Sequence, residues 1–214
     1  MTYTVKEIFY TLQGEGARSG RAAVFCRFSG CNLWSGREED RSRAVCQFCD
    51  TDFVGIGPDG GRFSSANELA DAIDRCWGGV SHGAPTGKKY VVCTGGEPLL
   101  QVDEALIEAL HERGFEVAVE TNGTRPAPAS LDWICVSPKA GAPFVQTSGS
   151  EIKLVYPQEN AAPERFAALD FEHFYLQPMD GPDIAVNTER AIEYCLRNPS
   201  WRLSIQTHKL VGIR

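Results

Sequence analysis

Three cysteines of this chain have types and spacing that could bind a metal centre. Cys46 and Cys49 form a Cys-x-x-Cys pair, and Cys31 precedes them with fourteen residues between. A structural zinc site is usually closed by four protein ligands, whereas a four-iron cluster held by three cysteines keeps one iron free for a reacting group. The spacing therefore predicts a metal centre with one open coordination position.

The Cys-x-x-Cys pair taken alone is compatible with zinc, a redox dithiol or an iron site. No fourth cysteine or histidine lies near in the loop, which argues against zinc. A thioredoxin-type dithiol normally begins a helix and needs no third cysteine, which argues against a redox pair. Spacing favours an iron–sulfur cluster and leaves the other two alternatives open.

A second chemical feature is Thr94-Gly95-Gly96-Glu97-Pro98, which directly follows an apolar run. A glycine pair also occurs in tight turns where side chains would collide. With a carboxylate alongside, however, the backbone carbonyls of such a turn form a cluster of acceptors suited to the ammonium group of a ligand.

Composition and charge restrict the class of protein. The 214 residues are 43% hydrophobic, enough to bury a full core within a single domain spanning 1–214. The net charge of −7 argues against a broad nucleic-acid surface. No run approaches the ~20 apolar residues that span a bilayer, and the first residues lack the pattern of a secretory signal. We therefore expect a cytoplasmic protein with no direct nucleic-acid or membrane partner.

Strand and helix patterns alternate along the chain. Runs rich in β-branched or aromatic residues predict strands at 5–10, 22–28, 90–93, 116–120, 133–136, 151–155, 174–176 and 202–205. Helical spacing predicts helices from the Ser65/Glu68 capping box to about Cys76, from about 102 to Gly114, and at 187–197. Because parallel neighbours need crossover connections, this alternation predicts an α/β fold. The chain is too short for the ~250 residues of an eightfold barrel, so we expect a trimmed, open partial (β/α) barrel of mostly parallel strands.

The loops that leave the carboxyl ends of parallel strands line the site of such a fold. We expect the polar segments that follow the predicted strands to meet there: 11–16, 29–31, 94–97, 121–124, 137–139 and 177–180.

The three-cysteine loop and the Gly-Gly-Glu-Pro turn together resemble the radical S-adenosylmethionine (SAM) superfamily. With the segments 9–16, 25–34, 49–51, 120–124 and 137–139, the resemblance narrows to the 7-carboxy-7-deazaguanine synthase family and spans nearly the whole chain. The superfamily usually separates its cysteines by three and then two residues. The resemblance therefore implies an insertion at about 32–45, whose balanced charge run at 37–43 we interpret as a solvated excursion.

The resemblance implies a carbon–nitrogen lyase of queuosine and deazapurine biosynthesis. Such an enzyme converts 6-carboxy-5,6,7,8-tetrahydropterin to 7-carboxy-7-deazaguanine with loss of ammonia, through a radical generated by the cluster and SAM rather than by a catalytic side chain. The implied cofactors are a 4Fe-4S cluster, SAM and Mg²⁺. The implied partners are an electron donor such as flavodoxin or ferredoxin and a second copy of the chain in a homodimer.

The resemblance also assigns site residues. The implied ligands of the cluster are Cys31, Cys46 and Cys49, and that of Mg²⁺ is Thr51. The implied SAM contacts are Gln47, Phe48, Asp50, Gly95, Gly96, Glu97, Ser137, Pro138, Lys139, Gln177, Pro178, Met179 and Asp180. The implied substrate contacts are Leu12, Gln13, Gly14, Glu15, Arg27, Thr94 and Arg214. Arg27 suits the substrate carboxylate because a guanidinium group can bind it with two hydrogen bonds.

Two other functions stay open at this point. A glycyl-radical activase would use the same cofactor loops on a protein backbone, but it would give Arg27, Gln13 and Glu15 no evident role. A non-catalytic metal-binding or electron-transfer module would need only the cysteines.

Overall fold

A computed structural model of the chain describes residues 2–79 and 85–214 and arranges nine strands of those residues in one sheet. The strands are β1 (Tyr3–Leu12), β2 (Ala22–Phe28), β3 (Gly61–Phe63), β4 (Lys89–Gly95), β5 (Phe115–Thr121), β6 (Trp133–Val136), β7 (Ser148–Tyr156), β8 (Asp170–Pro178) and β9 (Trp201–Leu203). Their order is β3-β1-β2-β4-β5-β6-β7-β8-β9, and every pair from β2 to β9 is parallel. The predicted open, mostly parallel α/β sheet is confirmed.

Four α-helices accompany the strands in the described part of the chain. They are α1 (Ala66–Gly78), α2 (Glu104–Glu112), α3 (Ile184–Arg197) and α4 (Thr207–Val211). Short 3₁₀ helices occur at Gly16–Arg18, Glu38–Arg43, Pro98–Leu100 and Pro163–Arg165. All eight predicted strands and all three predicted helices are present, whereas β3 and α4 were not predicted. None of these helices is long and apolar enough to cross a membrane.

Side-chain capping fixes where α1 and α2 begin. The Ser65 hydroxyl accepts a hydrogen bond from the Glu68 amide at 3.2 Å, as the capping box predicts, whereas the Glu68 carboxylate accepts from the Ser64 amide at 2.7 Å, one residue earlier than expected. Asp103 caps α2 by accepting from the Leu106 amide at 3.0 Å and also accepts from the Tyr3 hydroxyl of β1 at 2.7 Å. The cap thus joins α2 to the sheet.

Alternation along the strands separates the packed face of the sheet from the face that carries the site. Val24, Val91 and Val117 pack with α1 and α2 in the main core, and Ile152 and Leu154 pack with α3 in a second cluster. Because successive side chains of a strand point to opposite faces, the residues between or beyond these point away from the helices. On that opposite face lie Arg27, Thr94, Glu120, Lys153 and Gln177.

The loop after β1 lines the cavity, as expected, but it does not leave from the carboxyl ends of the parallel strands. β1 runs antiparallel to β2, and Leu12 pairs with Ala22, so the loop after β1 leaves at the amino ends of the parallel strands. It then crosses the face away from the helices, where the Gly16 amide donates to the Ser204 hydroxyl at 3.0 Å and the Ala17 amide donates to Glu151 at 2.8 Å. The loop after β1 therefore reaches the site from the opposite end to the loops that follow β2, β4, β5, β6 and β8.

Candidate functional site

A cavity of about 380 Å³ opens on the face of the sheet away from the helices. Most of the residues assigned to ligands by sequence line it: Leu12, Gln13, Gly14, Glu15, Arg27, Cys46, Phe48, Cys49, Asp50, Thr51, Thr94, Gly95, Gly96, Ser137, Lys139, Gln177, Pro178, Asp180 and Arg214. The assigned residues that do not line it are Cys31, Gln47, Glu97, Pro138 and Met179. The structure therefore brings the cysteine loop, the glycine turn and the predicted substrate loop to one cavity.

The glycine turn packs directly on the loop that carries Cys31. The Glu97 amide donates to the Gly30 carbonyl at 3.0 Å, and a Cβ on Gly96 would lie 2.1 Å from that carbonyl oxygen and 2.8 Å from the Cys31 Cβ. Only glycine permits this approach. Gly95 has a φ of +129°, a conformation that other residues rarely adopt. Cys31, although outside the cavity lining, thus lies immediately behind the turn that lines it.

The three thiols offer a soft donor set with uneven acidity. A hydrogen bond from the Cys46 thiol is the main cause that lowers the pKa of Cys49 to about 6, against the effect of burial. Because the Cys46 thiol donates that hydrogen bond, and because it is buried, its own pKa is raised well above the usual range. The ammonium group of Lys139 acts on both thiols in the direction that favours thiolate. A thiolate is the form that binds metal.

The chemistry of the donor set fits a metal centre with an open position. Cys46 and Cys49 line the cavity, and Cys31 lies directly behind the glycine turn. Iron–sulfur clusters are held by cysteine thiolates, and three protein sulfurs leave one iron of a four-iron cluster for another ligand. The three thiols therefore fit the cluster that the sequence predicts.

Glu97 is fully buried behind the cavity wall and supports the turn rather than lining the site. Its carboxylate accepts hydrogen bonds from the Leu99 amide at 3.0 Å, the Thr121 hydroxyl at 2.8 Å and the Asn122 amide at 2.8 Å. Burial raises its pKa despite these bonds. The carboxylate ties the glycine turn to the end of β5, and its predicted contact with SAM stays a prediction.

Arg27 and Arg214 share a carboxylate at one side of the cavity. The Arg27 Nε donates to Glu7 at 2.7 Å, and among the described residues no hydrogen bond engages its two terminal nitrogens. Arg214 pairs with Glu7 and with Asp59, and its carbonyl accepts from the Thr11 hydroxyl at 2.8 Å. The end of Arg27 is thus left to bind a ligand, and Arg214 is anchored at the cavity.

A buried lysine that sequence reasoning missed organises the opposite wall. The Lys153 side chain is 4% exposed, and its ammonium group lies 2.7 Å from Glu15 and 2.6 Å from Glu120. Glu120 also accepts from the Gln13 side-chain amide at 3.0 Å. Burial by itself would raise the pKa of Glu15, but the charge and hydrogen bond of Lys153, aided by Gln206 and Gln177, lower it to about 2. Glu15 is therefore ionised and held in place.

The same lysine lies beside a cluster of two carboxylates and one thiol. Ligand atoms of Glu120, Cys135 and Glu151 lie within 4.8 Å of one another. Lys153 pairs with Glu120, and the Ala17 amide donates to Glu151 at 2.8 Å. Among the described residues, Lys153 therefore neutralises one carboxylate of this cluster, and a backbone amide satisfies the other. The charges at 151 and 153, alternating with apolar residues, were the signal in the sequence that both would share one face.

The C-terminal segment also reaches the cavity, and of its residues sequence reasoning predicted only Arg214. The Gln206 side chain donates to Glu15 at 2.9 Å, and the Thr207 amide donates to the Gly14 carbonyl at 3.0 Å. Lys209 bridges Asp50 of the cysteine loop and Asp180 after β8, at 2.6 Å from each. α4 thereby connects three segments that line the cavity.

The chain matches known proteins over its full length. Residues 41–148 match the Radical SAM superfamily model. A 7-carboxy-7-deazaguanine synthase of Caulobacter vibrioides is 68% identical over 214 residues, and one of Bradyrhizobium diazoefficiens is 67% identical over 215 residues, with 100% of each chain covered in both cases. The crystal structure of QueE from Escherichia coli matches with a TM-score of 0.70 at 28% identity, covering 97% of this chain and 95% of that one.

These matches agree with a cavity lined by Cys46, Cys49 and the two glycines of the turn, with Cys31 directly behind that turn. They also confirm the resemblance drawn from the sequence. The chain belongs to the 7-carboxy-7-deazaguanine synthase family of the radical SAM superfamily.

Proposed function

We propose that this chain converts 6-carboxy-5,6,7,8-tetrahydropterin to 7-carboxy-7-deazaguanine, with loss of ammonia, as a step of queuosine or deazapurine biosynthesis. The observation that carries the proposal is the single cavity onto which the cysteine loop, the glycine turn and Arg27 all converge. The identity of 60–70% to synthases of that name, over the whole chain, supports the same activity.

The cofactor side of the cavity is built from the loops after β2, β4, β6 and β8. Cys31, Cys46 and Cys49 would hold a 4Fe-4S cluster, which with SAM supplies the one-electron chemistry that starts hydrogen abstraction. The carbonyls of the glycine turn would accept from the SAM ammonium group. The remaining proposed SAM contacts are Gln47, Phe48, Asp50, Glu97, Ser137, Pro138, Lys139, Gln177, Pro178, Met179 and Asp180.

The substrate side follows from charge and hydrogen-bonding capacity. Ionised Glu15 and the Gln13 amide would form hydrogen bonds with the donor-rich aminopyrimidine edge of the pterin. The backbone of Leu12 and Gly14 would lie beside them. The free end of Arg27 would bind the pterin carboxylate with two hydrogen bonds. Thr94 and Arg214 would complete this pocket. The protein's part in the reaction is to place one hydrogen of the substrate next to the radical carbon.

Further parts of the proposal concern partners of the site. Thr51 lines the cavity and offers a hydroxyl oxygen, a ligand type suited to Mg²⁺. We also infer a flavodoxin or ferredoxin as electron donor, a homodimer, and a cytoplasmic location. A protein-backbone substrate is less well supported, because the Arg27 and Glu15 groups match a small carboxylated heterocycle.

The test is turnover by anaerobically reconstituted protein given the carboxytetrahydropterin, SAM, Mg²⁺ and a reductant, with the deazapurine detected by mass. Replacing any one of Cys31, Cys46 or Cys49 by alanine should remove the cluster absorbance and the product. Cys195→Ala, in α3 away from the cavity, is the matched control and should retain both. Full turnover by a cluster-cysteine variant would disprove the site.

Deoxyadenosine without deazapurine would disprove the substrate while leaving the radical chemistry intact. Chelation of Mg²⁺ should lower the rate.

A further inference from the structure

The insertion at 32–45 is not only a solvated excursion. Its 3₁₀ helix, Glu38–Arg43, presents three arginines on or beside it, and they differ sharply in exposure. The side chains of Arg37 and Arg43 are 71% and 80% exposed, whereas that of Arg41 is 28% exposed. One arginine of the insertion therefore turns inward while its neighbours face solvent.

Arg41 makes four contacts, two with the turn that carries Cys46 and Cys49 and two within the insertion. Its terminal nitrogen Nη1 donates to the Gln47 carbonyl at 2.9 Å and to the Cys49 carbonyl at 3.1 Å. Its Nε donates to Glu38 at 2.7 Å, and its guanidinium carbon lies 4.1 Å from the centre of the Trp34 ring. Arg41 thus links the insertion to the turn that carries two of the cysteines.

The platform beneath Arg41 is firmly placed. The Trp34 ring is nearly buried, its nitrogen donates to the Arg37 carbonyl at 3.1 Å, and it packs edge-on against Phe53 with centroids 5.6 Å apart. A planar guanidinium group can stack on such a ring while it donates to two carbonyls, which a lysine ammonium group does less well. The geometry of the insertion is therefore suited to arginine in particular.

We propose that Arg41 is a positioning residue for the cluster. By holding the Gln47 and Cys49 carbonyls, it keeps the thiols of Cys46 and Cys49 oriented for iron, and its charge favours the reduced state of the cluster. Partners of metal ligands that fix ligand orientation typically matter for metal retention, and nearby charge and hydrogen bonds set cluster potentials. The proposal rests on the proposed cluster ligands, but it concerns the insertion rather than the substrate.

The experiment compares anaerobically reconstituted wild type with Arg41→Ala and Arg41→Lys. Arg43→Ala is the matched control, because Arg43 belongs to the same helix and its ion pair in the described part of the chain is with Asp40 alone. The readouts are the rate of iron release to a ferrous chelator, the midpoint potential from a redox titration, and the circular dichroism of the apoprotein. Product formation by the wild type is measured in parallel.

Arg41→Ala should release iron at least about 10-fold faster than wild type, with a more negative midpoint potential, while Arg43→Ala matches wild type. Arg41→Lys should change the midpoint potential less than Arg41→Ala does, because it keeps the positive charge. It should still release iron faster than wild type, because it loses the stacked guanidinium group. If Arg41→Ala does not fold, the rates of iron release from Arg41→Lys and Arg43→Ala are compared instead, and Arg41→Lys should be the faster. Iron release and potential equal to wild type in the Arg41 variants, or equal changes in Arg43→Ala, would overturn the proposal. In that case the wild type would still hold its cluster and form product, whereas failure of the proposed function would appear in the wild type itself.

Discussion

Lys153 is the residue on which the charge balance of the cavity wall with Glu15 and Glu120 depends. It contacts two carboxylates in a setting where its side chain is only 4% exposed, so its removal leaves both carboxylates desolvated without a cation. Breaking a buried ion pair in this way typically destabilises a protein by about 3–5 kcal/mol. Lys153 therefore keeps Glu15 ionised as well as oriented.

Lys153→Met should lower stability by an amount that grows with pH. In the wild type the folded-state pKa of Glu15, about 2, lies below its unfolded value near 4.3, so its stabilising contribution is present above about pH 4.3 and lost as the pH falls toward 2. Without Lys153, burial raises this pKa, and the variant should lose stability as the pH rises above 4.3. Thermal unfolding of the apoproteins at pH 4, 5.5 and 7 measures this. Lys88→Met, an exposed control, should show little effect, and an equal loss at pH 4 and pH 7 for Lys153→Met would contradict the mechanism.

At Gly96 the glycine turn packs tightly against the cysteine loop at Gly30 and Cys31. Gly96→Ala places a methyl group 2.1 Å from the Gly30 carbonyl oxygen, so one of the two loops must move. We expect lower iron content and a higher KM for SAM. Gly78→Ala, which meets nothing within 4 Å at the end of α1, should retain iron content, KM and at least wild-type thermal stability. A Gly96→Ala protein with wild-type iron content and KM would show that the two loops are not tightly coupled.

At the scale of elements, α1, α2 and α3 stabilise the sheet while staying remote from the cavity. Asp103 shows this most directly, because its carboxylate caps α2 and also accepts from the buried Tyr3 hydroxyl of β1. One side chain therefore supports both the first turn of a helix and the docking of that helix on a strand. Neither residue lines the cavity.

Asp103→Ala should cost roughly 2 kcal/mol, about 1 for the cap and at least about 1 for the unpaired hydroxyl. In a chain of this size that corresponds to a Tm lower by roughly 4–8 °C. Asp103→Asn keeps an acceptor for both donors and should lose much less. Both variants should retain the wild-type kcat and KM at 25 °C, as measured by product formation. Equal loss in the two variants would show that the hydrogen bonds are not the cause.

At the scale of the whole molecule, the cavity is completed by both ends of the chain. Gln13 and Glu15 follow the first strand, and Gln206, Lys209 and Arg214 come from the last residues. α4 has no buried residue of its own, so it contributes contacts to the cavity rather than to the core. We therefore expect the C-terminal segment to affect ligand binding more than folding.

Deleting residues 207–214 should raise the KM for the pterin several-fold. The deletion removes the Thr207 bond to Gly14, the Lys209 bridge and the Arg214 pairs, while every strand of the sheet remains. Circular dichroism and iron content should stay near wild type. Arg197→Ala, an exposed arginine at the end of α3, controls for loss of a surface charge near the C-terminus. An unchanged KM in the deletion variant would show that the segment does not form part of the substrate pocket.

Local pattern was sufficient for most of the elements and for the composition of the site. The eight predicted strands and three helices follow from periodicity and capping, and the cysteines, the glycine turn and Arg27 are recognisable because their chemistry depends on residue type and short spacing. β3 escaped prediction because Phe63 is its only apolar residue, whereas β9, equally short, has two; α4 has too few residues to show a helical period.

The tertiary structure alone decided which distant groups meet. Glu15 pairs with Lys153, Gly14 with Thr207, and Arg41 reaches over the cysteine turn, while Glu97 points behind the wall rather than into the cavity. The antiparallel direction of β1 likewise sends its loop into the site from the far end. Such contacts depend on strand order and on the path of each loop in three dimensions. Local periodicity encodes the face on which a side chain lies, but not the partner that the fold brings opposite it.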